Sequence, residues 1–344
     1  MPPYTIDIEL TNRCNADCYF CPRDETPHQG LMSDEVFDQA LLRSKQIREL
    51  YAHADPAVEV GITMCGLGEP LLHKRAPEFI RRARDEGFYT TMSSNAALLD
   101  ERRGAAVLDA GLQAIYINVG ERGQDYVDIY KLPFERTRDN VVRFAEMAGD
   151  RCQVLMVLVD HRRDKAHIAD MERYWRDQGL TNFVTFDIMN RGGALFVDHM
   201  QYESRNELDT ATRMIAERDG EALCAVPFLS TFVGYDGNVY LCCSDWKKEA
   251  PVASIFDDDA PYLNPKLALV TSRERVCKTC NLDPLNHLAD EIRARDEGAD
   301  DAADVEALAD EFATYGRELR NAARRFDELE AIGKGRRRIP VRAE

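Results

Sequence analysis

Between residue 4 and about residue 190 the chain alternates short β-rich runs with amphipathic helical stretches, and this alternation limits the fold more than any other feature. Strands are expected at Tyr4–Leu10, Val58–Met64, Phe88–Ser93, Gln113–Val119, Gln153–Val159 and Phe183–Met189. Helical periodicity falls between them, near Asp34–Tyr51, Ala76–Glu86, Leu99–Ala110, Phe134–Ala148 and Lys165–Gln178. Ser33 is placed to cap the first helix, and Gly87, Gly111 and Gly179 to end the second, third and fifth. Strand–helix alternation implies a parallel sheet with helices outside, and six such units predict a partial barrel in the α/β class. In such barrels, functional groups collect on the loops at the C-terminal ends of the strands.

The loop after the first strand is Cys14-Asn15-Ala16-Asp17-Cys18-Tyr19-Phe20-Cys21. Thiolates are soft anionic ligands suited to iron–sulfur clusters, in which each iron takes one. Three thiols leave one iron of a four-iron cluster without a protein ligand, an open position where chemistry can occur. A zinc knuckle short of one ligand and three unrelated buried cysteines are the plainer alternatives. After strand two comes Cys65-Gly66-Leu67-Gly68-Glu69-Pro70. Its glycines permit close backbone approach. A dinucleotide-binding turn is excluded, because the third glycine is missing and Glu69-Pro70 interrupts the helix start.

The C-x3-C-x2-C loop, with an aromatic residue before the last cysteine, resembles the radical S-adenosylmethionine (radical SAM) superfamily. The resemblance implies a [4Fe-4S] cluster on Cys14, Cys18 and Cys21 whose fourth iron chelates SAM. Reductive cleavage would then give a 5′-deoxyadenosyl radical that takes a hydrogen atom from the substrate. Gly66, Gly68, Glu69 and Pro70 resemble the family's "GGEP" cofactor rim, with Leu67 separating the glycines. Ser94 and Asn95 in Ser93-Ser94-Asn95 after strand three, and Asn118 within strand four, match places where family members hydrogen-bond SAM. Satisfied structural polar groups are also common at such strand ends. At the exit of strand six, Asp187 and Arg191 put an acid and a guanidinium near the same mouth, with a surface salt bridge as the alternative role.

Cysteines return as Cys224, Cys242, Cys243, Cys277 and Cys280, after a polar connecting helix at about residues 203–220. Phe232 to Tyr240, with Asp236-Gly237 between alternating apolar residues, reads as a β-hairpin. That hairpin would bring Cys224 and Cys242 towards the Cys277-x-x-Cys280 turn, and a four-cysteine zinc site is physically as reasonable there as a cluster. Beside the first motif, the pattern resembles the twitch module of the SPASM/twitch radical SAM subgroup, which implies one auxiliary [4Fe-4S] cluster. The spacing favours Cys242 over Cys243 as ligand. Cys65, Cys152 and Cys243 then have no ligand role; Cys65 stands at the cofactor rim, where a thiol can donate a hydrogen atom. The expected division is a barrel over 1–200, a twitch-type module over 201–285, and a charged helical extension over 286–344. Within that extension a long helix over about Asp300 to Glu328 ends near Gly333, ahead of a basic tail, Lys334 to Arg338.

Net charge is −17, from 61 acidic and 44 basic residues, which argues against a nucleic-acid partner and is compatible with a cationic small substrate. No apolar run approaches the ~20 residues of a membrane span. Met1 leads almost directly into the first strand, so no signal peptide is expected and a reducing cytoplasm is the expected setting.

Within the subgroup the chain resembles dehydrogenases of the 2-deoxy-scyllo-inosamine type from aminoglycoside biosynthesis. That resemblance implies oxidation of a secondary alcohol on a sugar or aminocyclitol. The second electron would pass to the auxiliary cluster, and flavodoxin or ferredoxin would be the external donor. Two radical alternatives stand: a sugar epimerase with Cys65 or Cys243 as hydrogen donor, and an enzyme modifying ribosomal peptides. The short segment ahead of the first strand counts against a peptide-recognition domain there. An iron–sulfur or zinc scaffold without turnover is the non-enzymatic alternative.

Overall fold

The computed structural model describes residues 2, 4–54, 56–195, 205–257, 263–273, 275–299 and 303–336. Six parallel strands form in the expected places: β1 (Tyr4–Ile8), β2 (Val60–Met64), β3 (Tyr89–Ser94), β4 (Ala114–Asn118), β5 (Gln153–Asp160) and β6 (Phe183–Asp187). Between them run α1 (Asp34–Ala54), α2 (Ala76–Asp85), α3 (Glu101–Asp109), α4 (Gly123–Tyr130), α5 (Phe134–Ala148) and α6 (Lys165–Asp177). Ser33 Oγ accepts from Val36 N at 3.2 Å, capping α1. Gly87, Gly111 and Gly179 follow α2, α3 and α6 with φ of +81°, +92° and +89°, a backbone conformation that stops a helix at little cost when the residue is glycine. The sequence pattern did not anticipate α4. It is eight residues long and closed by Lys131 in the left-handed region, too brief for a periodic signal.

The two faces of the sheet differ in chemistry. One row carries Ile6, Ile8, Ile62, Met64, Met92, Ile115, Ile117, Met156 and Leu158, all fully or almost fully buried in the core shared with Phe37 and Phe79 of the covering helices. Complete burial of a side chain of this kind contributes about 1.5–3 kcal/mol, so this row holds the sheet to its helices. Strand register sets the other row side by side: Asp7 next to Thr63, Thr63 next to Thr91, Ser93 next to Tyr116, and Asn118 next to Val157. On β1 to β4 the inner row is therefore largely polar and lines the lumen with hydrogen-bonding groups, while β5 adds Leu155 and Val157.

The remainder of the chain extends this sheet. After α7 (Arg205–Ala216) and α8 (Val226–Leu229), β7 (Ser230–Val233) pairs parallel to β1, Thr5 opposite Ser230 and Ile8 opposite Val233. The expected hairpin follows, β8 (Asn238–Tyr240) lying antiparallel to β7, with Gly237 at φ +83° in its turn. β9 (Pro251–Ser254) completes a nine-stranded sheet in the order β6-β5-β4-β3-β2-β1-β7-β8-β9. Then come α9 (Leu263–Ser272), α10 (Pro284–Asp296) and α11 (Val305–Arg336), and α7, α10 and α11 share a second apolar cluster. The architecture is a mixed α/β partial barrel with helices after it. α11 continues through Gly333 rather than ending there. Arg337 and Arg338 of the basic tail, and residues 203–204 of the connecting helix, lie outside the described residues. Among the described residues no helix is long and apolar enough to cross a membrane.

Candidate functional site

The loop with Cys14, Cys18 and Cys21 leaves β1 at the C-terminal end of the parallel strands and is held at both ends. Asn12 donates to His28 O and accepts from Gly30 N, while Thr11 donates to Gly30 O, so the return segment is tied to the start of the loop. Arg23 Nη1 donates to Ala16 O at 2.6 Å and to Cys14 O at 3.3 Å, and Cys21 N donates to Cys18 O at 3.0 Å. Phe20 is buried between Tyr130 and the ring of His161, which stacks on it at 5.8 Å. Burial first, then repulsion from Cys21 and Cys14, pushes the Cys18 thiol well up. Burial raises Cys14 too, and takes Cys21 to about 11 against the pull of Arg191. Three thiols crowded into a dry loop do not ionise together without a cation to receive them, and this fits a metal cluster.

The Gly66–Pro70 segment packs directly onto that loop. A Cβ on Gly68 would lie 2.3 Å from Arg13 O and 2.6 Å from Asn12 C, so any side chain there collides with backbone. Glu69 N donates to Arg13 O at 2.9 Å. The Glu69 carboxylate is buried; it accepts from Leu71 N and Ser94 Oγ on one oxygen and from Asn95 N on the other. Burial raises its pKa and these three donors draw it back. Asn95 Nδ2 reaches Asn15 Oδ1 at 3.0 Å and Cys14 Sγ at 3.7 Å, and Asn118 Nδ2 donates to Ser93 Oγ at 3.0 Å. Gly66, Gly68, Glu69, Pro70, Ser94 and Asn95 therefore form one rim with the cysteine loop, while Asn118 lies on the lumen row. Glu69→Ala strands three donors, a loss of about 3 kcal/mol. It is expected to lower the melting temperature by several degrees and to raise KM for SAM more than it lowers iron content; normal SAM binding by the variant would sever this rim from the cofactor.

The second cysteine group also converges. Cys224, Cys242, Cys277 and Cys280 line one cavity with Pro227 and Ser244. All four thiols are pushed up by burial, Cys277 to about 12. Cys243 is exposed and does not line that cavity; Asp7, Arg191 and Cys280 are the charged or ionisable groups that act on its thiol. Cys65 is near the same groups: burial raises its thiol well above the ordinary range, and Asp7, Cys243 and Glu9 add to the rise. Among the described residues no three His, Cys, Asp or Glu side chains meet at the separation one metal ion needs. A four-iron cluster is wider, each thiolate reaching a different iron.

The loop after β6 joins the two cysteine groups. Asn190 N donates to Asn281 Oδ1 at 3.0 Å, Asn190 Nδ2 donates to Thr279 O, and Asn281 N donates to Asn190 Oδ1 at 3.1 Å. A Cβ on Gly192 would come within 2.1 Å of Val276 and 2.7 Å of Ser244 O, so the turn fits closely against the Cys277–Cys280 segment. Arg191 (φ +53°) stacks over Trp246 at 5.5 Å, interacts with both Cys21 and Cys243, and keeps its Nε buried without a partner among the described residues. Asp187 does not join this group. It pairs in register with Asp160 on the helix-facing row and is exposed, because the strand's two-residue alternation turns it from the lumen.

Sequence reasoning missed a charged network on the same rim. Glu121, buried after β4, accepts from His161 Nε2 at 2.6 Å, His167 Nε2 at 3.0 Å and Arg162 at 2.9 Å, and His161 Nδ1 lies 2.5 Å from the Tyr19 hydroxyl. The histidine bond and these cations hold the Glu121 carboxyl below its usual range despite burial. The only signal was the charge cluster His161-Arg162-Arg163 at a strand exit, which reads equally as a surface loop.

The chain is 25% identical over 233 residues to the PqqA peptide cyclase of Granulibacter bethesdensis, covering 63% of this chain and 55% of that protein. It thus spans about half the length of this curated relative. Its fold is similar to that of Streptococcus suis SuiB bound to precursor peptide SuiA, with TM-score 0.57, 13% identity, and coverage of 85% of this chain and 73% of SuiB. BtrN in complex with AdoMet and 2-DOIA superposes more loosely, with TM-score 0.48 and 18% identity over 80% of this chain and 92% of BtrN. Residues 8–172, from the end of β1 through the cysteine loop to α6, match the radical SAM superfamily model, and this part of the chain belongs to that superfamily.

Proposed function

We propose that this radical SAM enzyme removes two hydrogens from its substrate, and that a peptide side chain is the substrate best supported. The observation that carries the oxidative part is the cavity lined by four cysteines, fastened by Asn190, Gly192 and Asn281 to the loop that also presents Arg191 to the SAM-cluster cysteines. The peptide reading draws support from the curated peptide cyclase relative. When bound, a reduced cluster on Cys14, Cys18 and Cys21 supplies, with SAM, a 5′-deoxyadenosyl radical, and a cluster on Cys224, Cys242, Cys277 and Cys280 supplies a one-electron acceptor.

The chain's own residues do the rest. Gly66, Gly68 and the Glu69-ordered turn hold a backbone edge against the cysteine loop, and Asn95 fixes the Cys14 side of it. In the lumen, Asp7 accepts from Thr5 Oγ1 at 3.0 Å, and burial raises its pKa, which suits a carboxylate that takes a proton from a substrate hydroxyl or amine. A second reading is dehydrogenation of a secondary alcohol on a sugar or aminocyclitol. It is favoured by the lumen's lining of Asp7, Thr63, Thr91, Ser93 and Asn118, all able to bond a polyhydroxylated or cationic ligand.

The test incubates reduced holoenzyme and SAM with deuterated candidate peptides and, separately, deuterated aminocyclitols. Oxidation moves deuterium into 5′-deoxyadenosine and leaves a product lacking two hydrogens relative to unlabelled substrate. Products of unchanged mass that take up solvent deuterium, with exchange abolished by Cys65→Ala or Cys243→Ala, would replace oxidation by epimerisation.

A further inference from the structure

Lys266 is fully buried and is the one charged residue of α9. Its ammonium donates to Pro227 O at 2.7 Å and to Ser230 O at 2.8 Å, two carbonyls at opposite ends of α8. Among the described residues it makes no ion pair with a carboxylate. Yet it lies between two anionic environments. Pro227 is a wall of the four-cysteine cavity, and Ser230, which opens β7 opposite Thr5 of β1, acts on the Asp7 carboxyl. Cys242 and Asp7 are the two charged groups it senses. A buried ammonium facing only neutral carbonyls is costly, so the position calls for an anionic neighbour.

We infer that Lys266 is the buried counter-charge of the four-cysteine centre and raises its reduction potential, with Asp7 as the opposing charge on the lumen side. The inference rests on reading the cavity as an iron–sulfur site. Four thiolates outweigh the positive core of a cluster, so the centre is anionic when oxidised and more so when reduced. A fixed cation nearby therefore stabilises the reduced form more, and net charge around a cluster is one of the levers that set its potential. Burial lowers the Lys266 pKa to about 8, which leaves the side chain mainly protonated near neutral pH, and an anionic centre beside it pushes that value back up. A lysine that merely clips α8 to β7 would affect folding and leave the potential alone.

The experiment is a redox titration of anaerobically reconstituted protein, followed by electron paramagnetic resonance. Lys266→Met keeps an unbranched side chain of similar length and removes the charge. At the wild-type midpoint of the second centre it is expected to raise the oxidised-to-reduced ratio about tenfold or more, a shift to more negative potential of about 59 mV for one electron. The potential of the Cys14–Cys21 centre should stay in place. Asp7→Asn is expected to move the second centre the opposite way, because Lys266 is then less neutralised. Unmoved potentials in both variants, each carrying its full iron, would overturn the inference. Should Lys266→Met fail to fold, the Asp7→Asn arm decides alone: an upward shift supports the inference and an unmoved potential overturns it. Wild-type protein holding only about four irons per chain, or zinc in the second site, refutes the cavity reading and this inference with it, before any variant is titrated.

Discussion

Replacing Cys14, Cys18 and Cys21 together with alanine is expected to abolish 5′-deoxyadenosine formation and to halve bound iron from ~8 to ~4 per chain. The effect is large because no other group on the rim can take over. Asn15, Asn95 and Arg23 are already committed to one another and to the loop backbone. The fold should survive, since Cys14 and Cys18 pack only partly buried against the strand and helix core and the loop keeps its ties through Thr11, Asn12 and Arg23. Iron analysis and a chromatographic assay for 5′-deoxyadenosine check both halves, and full iron in the variant would mean that the triad binds no cluster.

Replacing Cys224, Cys242, Cys277 and Cys280 with alanine is expected to give the complementary result. Iron again falls to ~4 per chain, but the remaining cluster belongs to the triad, so SAM cleavage continues. Substrate oxidation should be lost, because the substrate's second electron has no acceptor. Cys243→Ala serves as the internal control. That thiol is exposed and does not line the cavity, so the variant should keep its iron. Equal iron loss from Cys243→Ala and Cys242→Ala would overturn the choice of Cys242 over Cys243 as ligand.

The sequence made the barrel legible because its strands alternate so strictly. Each of the six predicted strands formed within a few residues of its expected bounds, and Gly87, Gly111 and Gly179 stopped their helices as read. The cysteine groups were legible as groups, the first from its C-x3-C-x2-C spacing and the second from the Cys277-x-x-Cys280 pair and the hairpin ahead of it, and the structure gathers Cys224, Cys242, Cys277 and Cys280 around one cavity. What the spacing did not carry was sidedness. Asp187 sits two residues from Met189 in a promising exit loop, yet the pleat puts it on the helix side; Asp7, an acid in the middle of an apolar strand, was passed over although the same alternation turns it inward. Lys266 was hidden for a related reason, because a lone lysine in a helix is ordinarily a solvated one. The joining of β7 to β1, which draws the second cysteine group alongside the first, is a contact between residues more than 200 apart and leaves no local signal.

The most direct test is Mössbauer spectroscopy of protein reconstituted anaerobically with iron-57 and recorded with and without SAM. The account predicts two four-iron clusters per chain, only one of which has a single iron site that changes when SAM is added. The unchanged cluster should disappear in the variant lacking Cys224, Cys242, Cys277 and Cys280, and the SAM-responsive one in the variant lacking Cys14, Cys18 and Cys21. One cluster per chain, or two clusters of which neither responds to SAM, would contradict it.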